Sequence, residues 1–182
     1  MNRSKFEVVH HYTHLRHAAN IVALGAITPS RTWYEQDMAA DGHSSSIPQE
    51  RPIVWLSSDQ YMEQTAIKEV IDNGRRRTMS MLEQHKVIGV VRFSIQNRPP
   101  VLNAKYLRQL ANINRATWDR MLRGAARVGA NPLQWFGVIG AVDRSLWTGI
   151  EIWSDAWTEK KGWRELVPSD WDRMESMTGV IA

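Results

Sequence analysis

The chain has no cysteine among its 182 residues. That excludes a disulfide framework, a thiol nucleophile and a cysteine-based zinc centre. It also lacks any apolar run near the ~18 residues that a membrane span needs. No apolar h-region follows Met1-Asn2-Arg3-Ser4-Lys5, so neither a signal peptide nor a membrane partner is expected, and the expected location is the cytoplasm. There is no Gly-x-x-x-x-Gly-Lys-Ser/Thr loop to cradle phosphates and no Gly-x-Ser-x-Gly elbow to present a serine nucleophile. No Rossmann glycine fingerprint follows the first predicted strand. Internal repeats and low-complexity tracts are absent too. What remains has the apolar content of a globular protein, 43%, at a length that suits one domain over residues 1–182.

Acidic residues are scarce in one block. Residues 74–128 hold twelve Lys/Arg against Glu83 and Asp119, a balance of +10, while the flanks on either side each balance to −3. Most of the basic residues are arginines, which grip phosphate bidentately and stack on bases. Arg75, Arg76 and Arg77, with Arg120, Arg123 and Arg127, are candidate phosphate contacts for a nucleic acid, DNA ahead of RNA. The alternative is a solvated helix surface paired with the acidic flanks. Tryptophan, by contrast, is plentiful: nine residues, five of them from Trp135 to Trp163. They can serve as core or as stacking platforms.

The patterns predict α+β. Phe6 to Tyr12 is a strand by its β-branched and aromatic content. Leu15, Ala18, Ala19, Val22 and Ala23 repeat at helical spacing until Gly25 stops them. A polar loop spans 31–51, and Pro52 to Ser57 is a buried strand. Ser58 or Asp59 is expected to cap a helix running to about Ile71, and a second helical piece is expected from Arg75 to about Gln84. Lys86 to Ile95 reads as a strand that Pro99-Pro100 ends. Residues 103–111 and 114–128 read as two helices forming a basic helical insertion, about 98–130. In the second, Trp118, Met121, Leu122, Ala125 and Val128 form the inward stripe. The pair also resembles a DNA-reading helix-turn-helix in outline, although two adjacent helices packed on a sheet are ordinary. The last third reads as strands at Gln134–Val142, Gly149–Trp153 and Gly162–Val167, connected as hairpins.

Four of the six histidines lie in the first seventeen residues: His10, His11, His14 and His17. The three- and four-residue spacings would suit a metal on a helix. A strand turns into a helix within these residues, no His-Glu-x-x-His follows, and no metal is expected. Along a strand, His10 and Tyr12 would share one face and His11 and Thr13 the other.

The stretch His11-Tyr12-Thr13, a helix to Gly25, Ile27-Thr28-Pro29-Ser30 and the strand Ile53-Val54-Trp55-Leu56-Ser57 together resemble the opening of the ADP-ribosyltransferase superfamily. There, a strand ends in His-x-Thr or His-x-Ser, and a second strand carries an aromatic residue followed by a small hydroxyl residue. The opening is most similar to the DNA-targeting, thymidine-modifying toxins of that superfamily. Gly149-Ile150-Glu151-Ile152-Trp153 is similar to the late strand that bears the family's catalytic glutamate. The resemblance implies a split, mostly antiparallel sheet with flanking helices, and NAD as substrate. It implies that Glu151 stabilises the oxocarbenium-like ribose formed when the nicotinamide bond breaks. His11 would hydrogen-bond the ribose hydroxyls, supported by Thr13. Trp55 would stack the nicotinamide with Ser57 nearby, and Arg31 or Arg92 would hold the pyrophosphate. A toxin role, or one in phage–host conflict, with a possible antitoxin, also follows from the resemblance.

This sequence departs from the family in having Gly149 in place of a first glutamate and Trp55 in place of the usual tyrosine. The residues also admit plainer roles. Glu151 could pair with Arg144 or Arg164, Arg92 could be a core-edge arginine, and His11 a core histidine met by a backbone carbonyl. Two other functions fit the same residues: a DNA glycosylase using a flipped base, and a basic nucleic-acid-binding protein with no activity.

Overall fold

The computed structural model describes residues 6–29, 50–66, 68–72, 75–155 and 162–176. Its centre is a seven-stranded antiparallel sheet. The strands, in chain order, are β1 (Val8–His14), β2 (Ala26–Ile27), β3 (Ile53–Ser57), β4 (Lys68–Asp72), β5 (Arg75–Met79), β6 (Val90–Gln96), β7 (Leu102–Asn103), β8 (Trp135–Ile139), β9 (Val142–Asp143), β10 (Trp147–Ser154) and β11 (Gly162–Glu165). The large sheet runs β11-β10-β6-β1-β3-β8-β7, and β2-β9 and β4-β5 pair separately. The helices are α1 (Leu15–Leu24), α2 (Met81–Ile88), α3 (Ala104–Leu110), α4 (Arg115–Val128) and α5 (Pro168–Ser176). The α+β class and the antiparallel sheet match the sequence expectation. Among the described residues, no helix is long and apolar enough to cross a membrane.

The sheet has two unlike faces because side chains alternate along each strand. On one face Val9, Val91, Phe93, Ile95, Ile152, Val54, Leu56, Phe136 and Val138 meet Leu15 and Ala18 of α1 and Trp171 of α5, forming the main core. The other face carries Tyr12, Val90 and Trp153 against Met81 of α2. Further along it, Trp135 packs under Ala104 of α3 and Ala125 of α4. Gly137 lets α3 approach this closely. A Cβ there would lie 2.7 Å from the Val54 carbonyl oxygen and 3.0 Å from Leu107 Cδ1.

The ladder is uneven. β1 and β6 pair through seven residues, Val8 with Gln96 to His14 with Val90. β1 and β3 share one registered pair, His10 with Ser57. Beyond it a side chain bridges the strands: His11 Nδ1 lies 3.0 Å from the Trp55 carbonyl oxygen.

Local signals explain the elements that match. His14 caps α1 by accepting from the His17 amide, and Gly25 ends that helix in the left-handed region at φ 69°. Asn103 and Asn114 cap α3 and α4 in the same way. Glu50 accepts from both the amide and the side chain of Asn114, placing a carboxylate at the positive end of α4.

Four expectations are corrected. No helix spans 59–71. Residues 58–66 are irregular, with bends at 60–61 and a turn at 64–65, and β4 pairs with β5 from Lys68–Met79 to Asp72–Arg75. Tertiary pairing thus overrides local helical spacing. Arg75 to Met79 is strand, and the helix begins only at Met81, where Ser80 and Glu83 form a capping box. Val87 and Ile88 belong to that helix, so the following strand starts at Val90. Finally, the last third is not all strand. Pro168 opens α5, with Asp170 accepting from the Val167 amide. Most of the expected loop 31–51 lies outside the described residues.

Candidate functional site

Register decides which side chains share a face. His10 pairs with Ser94 and Tyr12 with Arg92. Gly149 pairs with Ser94 and Glu151 with Arg92. Directly paired residues in an antiparallel sheet project to the same side, so His10, Tyr12, Arg92, Ser94 and Glu151 lie together. His11 and Thr13 project to the core side. Thr13 is buried, and His11 reaches the Trp55 carbonyl, as the plainer reading of a core histidine allows.

Glu151 is held firmly. Arg92 Nε donates to Oε2 at 2.7 Å and Nη2 to Oε1 at 2.9 Å. Ser94 Oγ donates to Oε2 at 3.0 Å. Burial pushes the Glu151 carboxyl up, but the hydrogen bonds and charge of Arg92, with the Ser94 hydroxyl, outweigh it and leave the group below its ordinary value. Arg92 has other partners as well. Its Nη1 donates to the Gln60 carbonyl oxygen at 2.8 Å, and its guanidinium sits over the Trp163 ring at 4.7 Å. Arg92 therefore serves as the partner of Glu151. Arg164 pairs with Asp170 instead.

His10 continues the chain of contacts. Its Nδ1 is 3.1 Å from Ser94 Oγ, and its Nε2 is 3.3 Å from Gln60 Oε1. Burial, then the positive charge of Arg92, lowers His10 to about 4, so the ring is neutral at pH 7. The Ser94 hydroxyl proton goes to Glu151, so His10 Nδ1 must bring its own proton to the serine oxygen. The Gln60 amide nitrogen faces the Ser58 carbonyl at 3.3 Å, which turns its oxygen toward His10 Nε2. A neutral imidazole carries one N–H. The neutral ring therefore donates to Ser94 or to Gln60 and not to both at once.

Beside this cluster lies a cavity of about 430 Å³. It opens where the β1–β3 ladder stops. Its walls include His10, His11, Trp55, Ser57 and Trp135 from the sheet, and Met121, Gly124, Ala125 and Val128 from α4. This explains the inward stripe of α4. Ala125 is buried, but Val128 is 42% exposed because it borders the cavity rather than the core. Trp135 stands edge-on to both Trp55 and Trp118, with ring centroids 6.3 Å and 6.0 Å away.

No family model, curated protein or solved structure matches this chain. What the site can do is set by its own chemistry. An ionised carboxylate, a neutral imidazole and a serine hydroxyl form one chain of contacts, and His10 carries that chain to the wall of an aromatic-lined cavity.

The expected site residues are therefore divided. Trp55, Ser57 and His11 line the cavity. Glu151 and Arg92 lie in the carboxylate cluster. Arg120, Arg123 and Arg127 are exposed on α4, where spacings of three and four place them along one stripe. Arg75, Arg76 and Arg77 lie in β5, but their side chains are outside what is described, as is Arg31. Sequence reasoning missed Ser94, Gln60 and Glu63, and gave His10 no role in the site. Ser94 had one available signal, since it lies two residues from Arg92 on the same strand face. Glu63 had none, because its partners Ser57 and Trp135 are brought to it by the fold.

Proposed function

We propose that the chain is an NAD-dependent ADP-ribosyltransferase that modifies a nucleic acid, DNA ahead of RNA. The observation that carries this reading is that Ser94 joins Glu151 of β10 to His10 of β1, at the wall of the cavity that Trp55 and Ser57 line. The histidine that joins Glu151 is His10 and not the His11 of the His-x-Thr motif, whose side chain projects to the other face and meets the Trp55 carbonyl. The short β1–β3 ladder supports an ADP-ribosyltransferase-like split sheet.

In this reading the nicotinamide ring enters the cavity beside Trp55. The bond from the nicotinamide nitrogen to the ribose anomeric carbon breaks, and the ring nitrogen keeps the electron pair. The Glu151 carboxylate stabilises the positive charge left on the ribose. An acceptor atom of the nucleic acid bonds to the anomeric carbon and loses its proton to solvent water, since His10 and Glu151 are both held as weak bases. Arg120, Arg123 and Arg127 hold the phosphate backbone beside the cavity roof. Arg92 positions Glu151 and is not assigned to the pyrophosphate.

A second reading is a glycosylase that cleaves a base N-glycosidic bond in DNA without NAD. It is supported by one observation: a buried carboxylate, Glu63, lines the cavity itself.

The test is incubation with NAD labelled in the adenylate part, with single- and double-stranded DNA and with RNA. Label transfer to nucleic acid is expected, and it is lost in Glu151→Gln, which keeps an acceptor for Ser94. Abasic sites formed without NAD would select the second reading. Tight NAD binding with no label on any acceptor would overturn the first.

A further inference from the structure

Glu63 is a carboxylate with 6% exposure in a cavity wall. Burying such a group costs several kcal/mol unless it is well bonded. Its Oε1 accepts from the Thr65 amide at 3.1 Å, from Thr65 Oγ1 at 2.6 Å and from Trp135 Nε1 at 3.4 Å. Its Oε2 accepts from Ser57 Oγ at 2.6 Å. All four donors are neutral, and no cation among the described residues pairs with it. The two oxygens are unequally served. Oε1 has three donors and organises the turn at 63–66. Oε2 has one, although a carboxylate oxygen offers about two acceptor directions. Ser57 cannot add a second, because its one hydroxyl proton is already given and its oxygen accepts from the Asp59 amide at 3.1 Å.

Beside Glu63 the cavity wall carries polar groups from His10, His11, Gln64 and Thr65, and the remainder is aromatic and aliphatic. Trp55 and Trp135 supply ring faces and edges, and Ile53, Leu56, Met121 and Val128 supply aliphatic walls. Its volume, about 430 Å³, falls within the range of small-molecule sites.

We infer that this cavity binds an uncharged heteroaromatic ring and that Glu63 selects it by accepting a ring or amide N–H on Oε2. The ring stacks against tryptophan, and the donor completes the carboxylate. A ring bearing its own carboxylate is refused, because two anions would share a poorly solvated wall. Two sources offer this chemistry: the carboxamide of a nicotinamide, and the N–H edge of a flipped nucleobase such as guanine or thymine. The nicotinamide arm rests on the transferase reading. The selectivity of the cavity does not, because it is read by binding and not by turnover.

The experiment titrates the full chain with nicotinamide, nicotinic acid, guanosine and thymidine, following tryptophan fluorescence and thermal stability. Nicotinamide or a nucleoside is expected to bind at least about tenfold tighter than nicotinic acid, the scale of one hydrogen bond to a charged group. Glu63→Gln removes the charge and is expected to shrink that gap severalfold. Gly124→Leu serves as a blocked control. An added Cβ at Gly124 meets nothing within 4 Å and the position lines the cavity, so the variant is expected to fold and to lose ring binding. Nicotinamide binding without nucleoside binding supports the inference with the dinucleotide as source. Nucleoside binding without nicotinamide supports it with a flipped base as source. Equal binding of nicotinic acid and nicotinamide, an unchanged gap in Glu63→Gln, or no saturable ring binding by the folded chain overturns it. A failed label-transfer assay leaves these readouts intact, so the two failures are distinguishable.

Discussion

Arg92 grips Glu151 through two parallel hydrogen bonds, Nε to Oε2 at 2.7 Å and Nη2 to Oε1 at 2.9 Å. The pair joins neighbouring strands β6 and β10 on the face that also carries His10. Its partners differ in exposure, with the arginine side chain at 10% and the glutamate at 25%. Removing the arginine would leave a half-buried carboxylate with the Ser94 hydroxyl as its remaining donor. Arg92→Met is therefore expected to cost about 2–4 kcal/mol and to raise the Glu151 pKa. Arg92→Met with Glu151→Leu is expected to recover part of the loss. Urea unfolding of the two single variants and the double variant measures the coupling. Additive losses would show that the pair contributes nothing as a pair.

His10 sets a pH dependence. Its pKa falls from 6.5 to about 4 on folding. Above pH 6.5 the ring is neutral in both states and its contribution is intact. Between pH 6.5 and about 4 the unfolded chain takes up a proton that the folded chain refuses. Stability then falls with falling pH, by up to about 1.4 kcal/mol per pH unit. Glu151, held below its ordinary value, adds a loss of the same sign at lower pH. Denaturant unfolding at pH 7, 6 and 5 is expected to slope less in His10→Gln than in the parent chain. Identical slopes would remove His10 as the cause.

Gly137 fixes the distance between α3 and the sheet. An added Cβ would press on the Val54 carbonyl oxygen at 2.7 Å and on Ile53 Cγ2 at 2.9 Å, both in the neighbouring paired strand. Gly137→Ala is expected to destabilise the chain by about 1–3 kcal/mol and to disturb the cavity, since its cross-strand partner is Trp55. A loss below about 0.5 kcal/mol, the usual effect of a neutral surface change, would contradict the close packing.

The α4 arginines give a binding prediction with little stability component, because Arg120, Arg123 and Arg127 are exposed. Each change to Gln is expected to weaken binding to a fluorescent DNA strand and to lower the slope of log affinity against log salt by about 1. The melting temperature should hardly move. Unchanged salt slopes in all three variants would place the nucleic-acid contact elsewhere.

The sequence by itself determined the elements whose signals are local. The apolar spacing from Leu15 and the stop at Gly25 marked α1. The β-branched run at Ile53-Val54 marked β3, and the apolar stripe from Trp118 to Val128 marked α4. It also determined the charge imbalance that puts arginines along α4. Segment 58–72 was not legible, because helical spacing there competes with a hairpin that pairing to β5 rewards only in the folded chain. The start of α5 was within reach, since Pro168 suits a first helical position and Asp170 its first turn. Tertiary structure alone decided the site. A side chain's face depends on register, and one residue of register exchanges His10 for His11. That pairing joined Ser94 to both His10 and Glu151. It also brought Trp135, seventy-two residues distant, to within hydrogen-bonding reach of Glu63. Burial then lowered the proton affinity of His10, while Arg92 and Ser94 lowered that of Glu151 against its own burial.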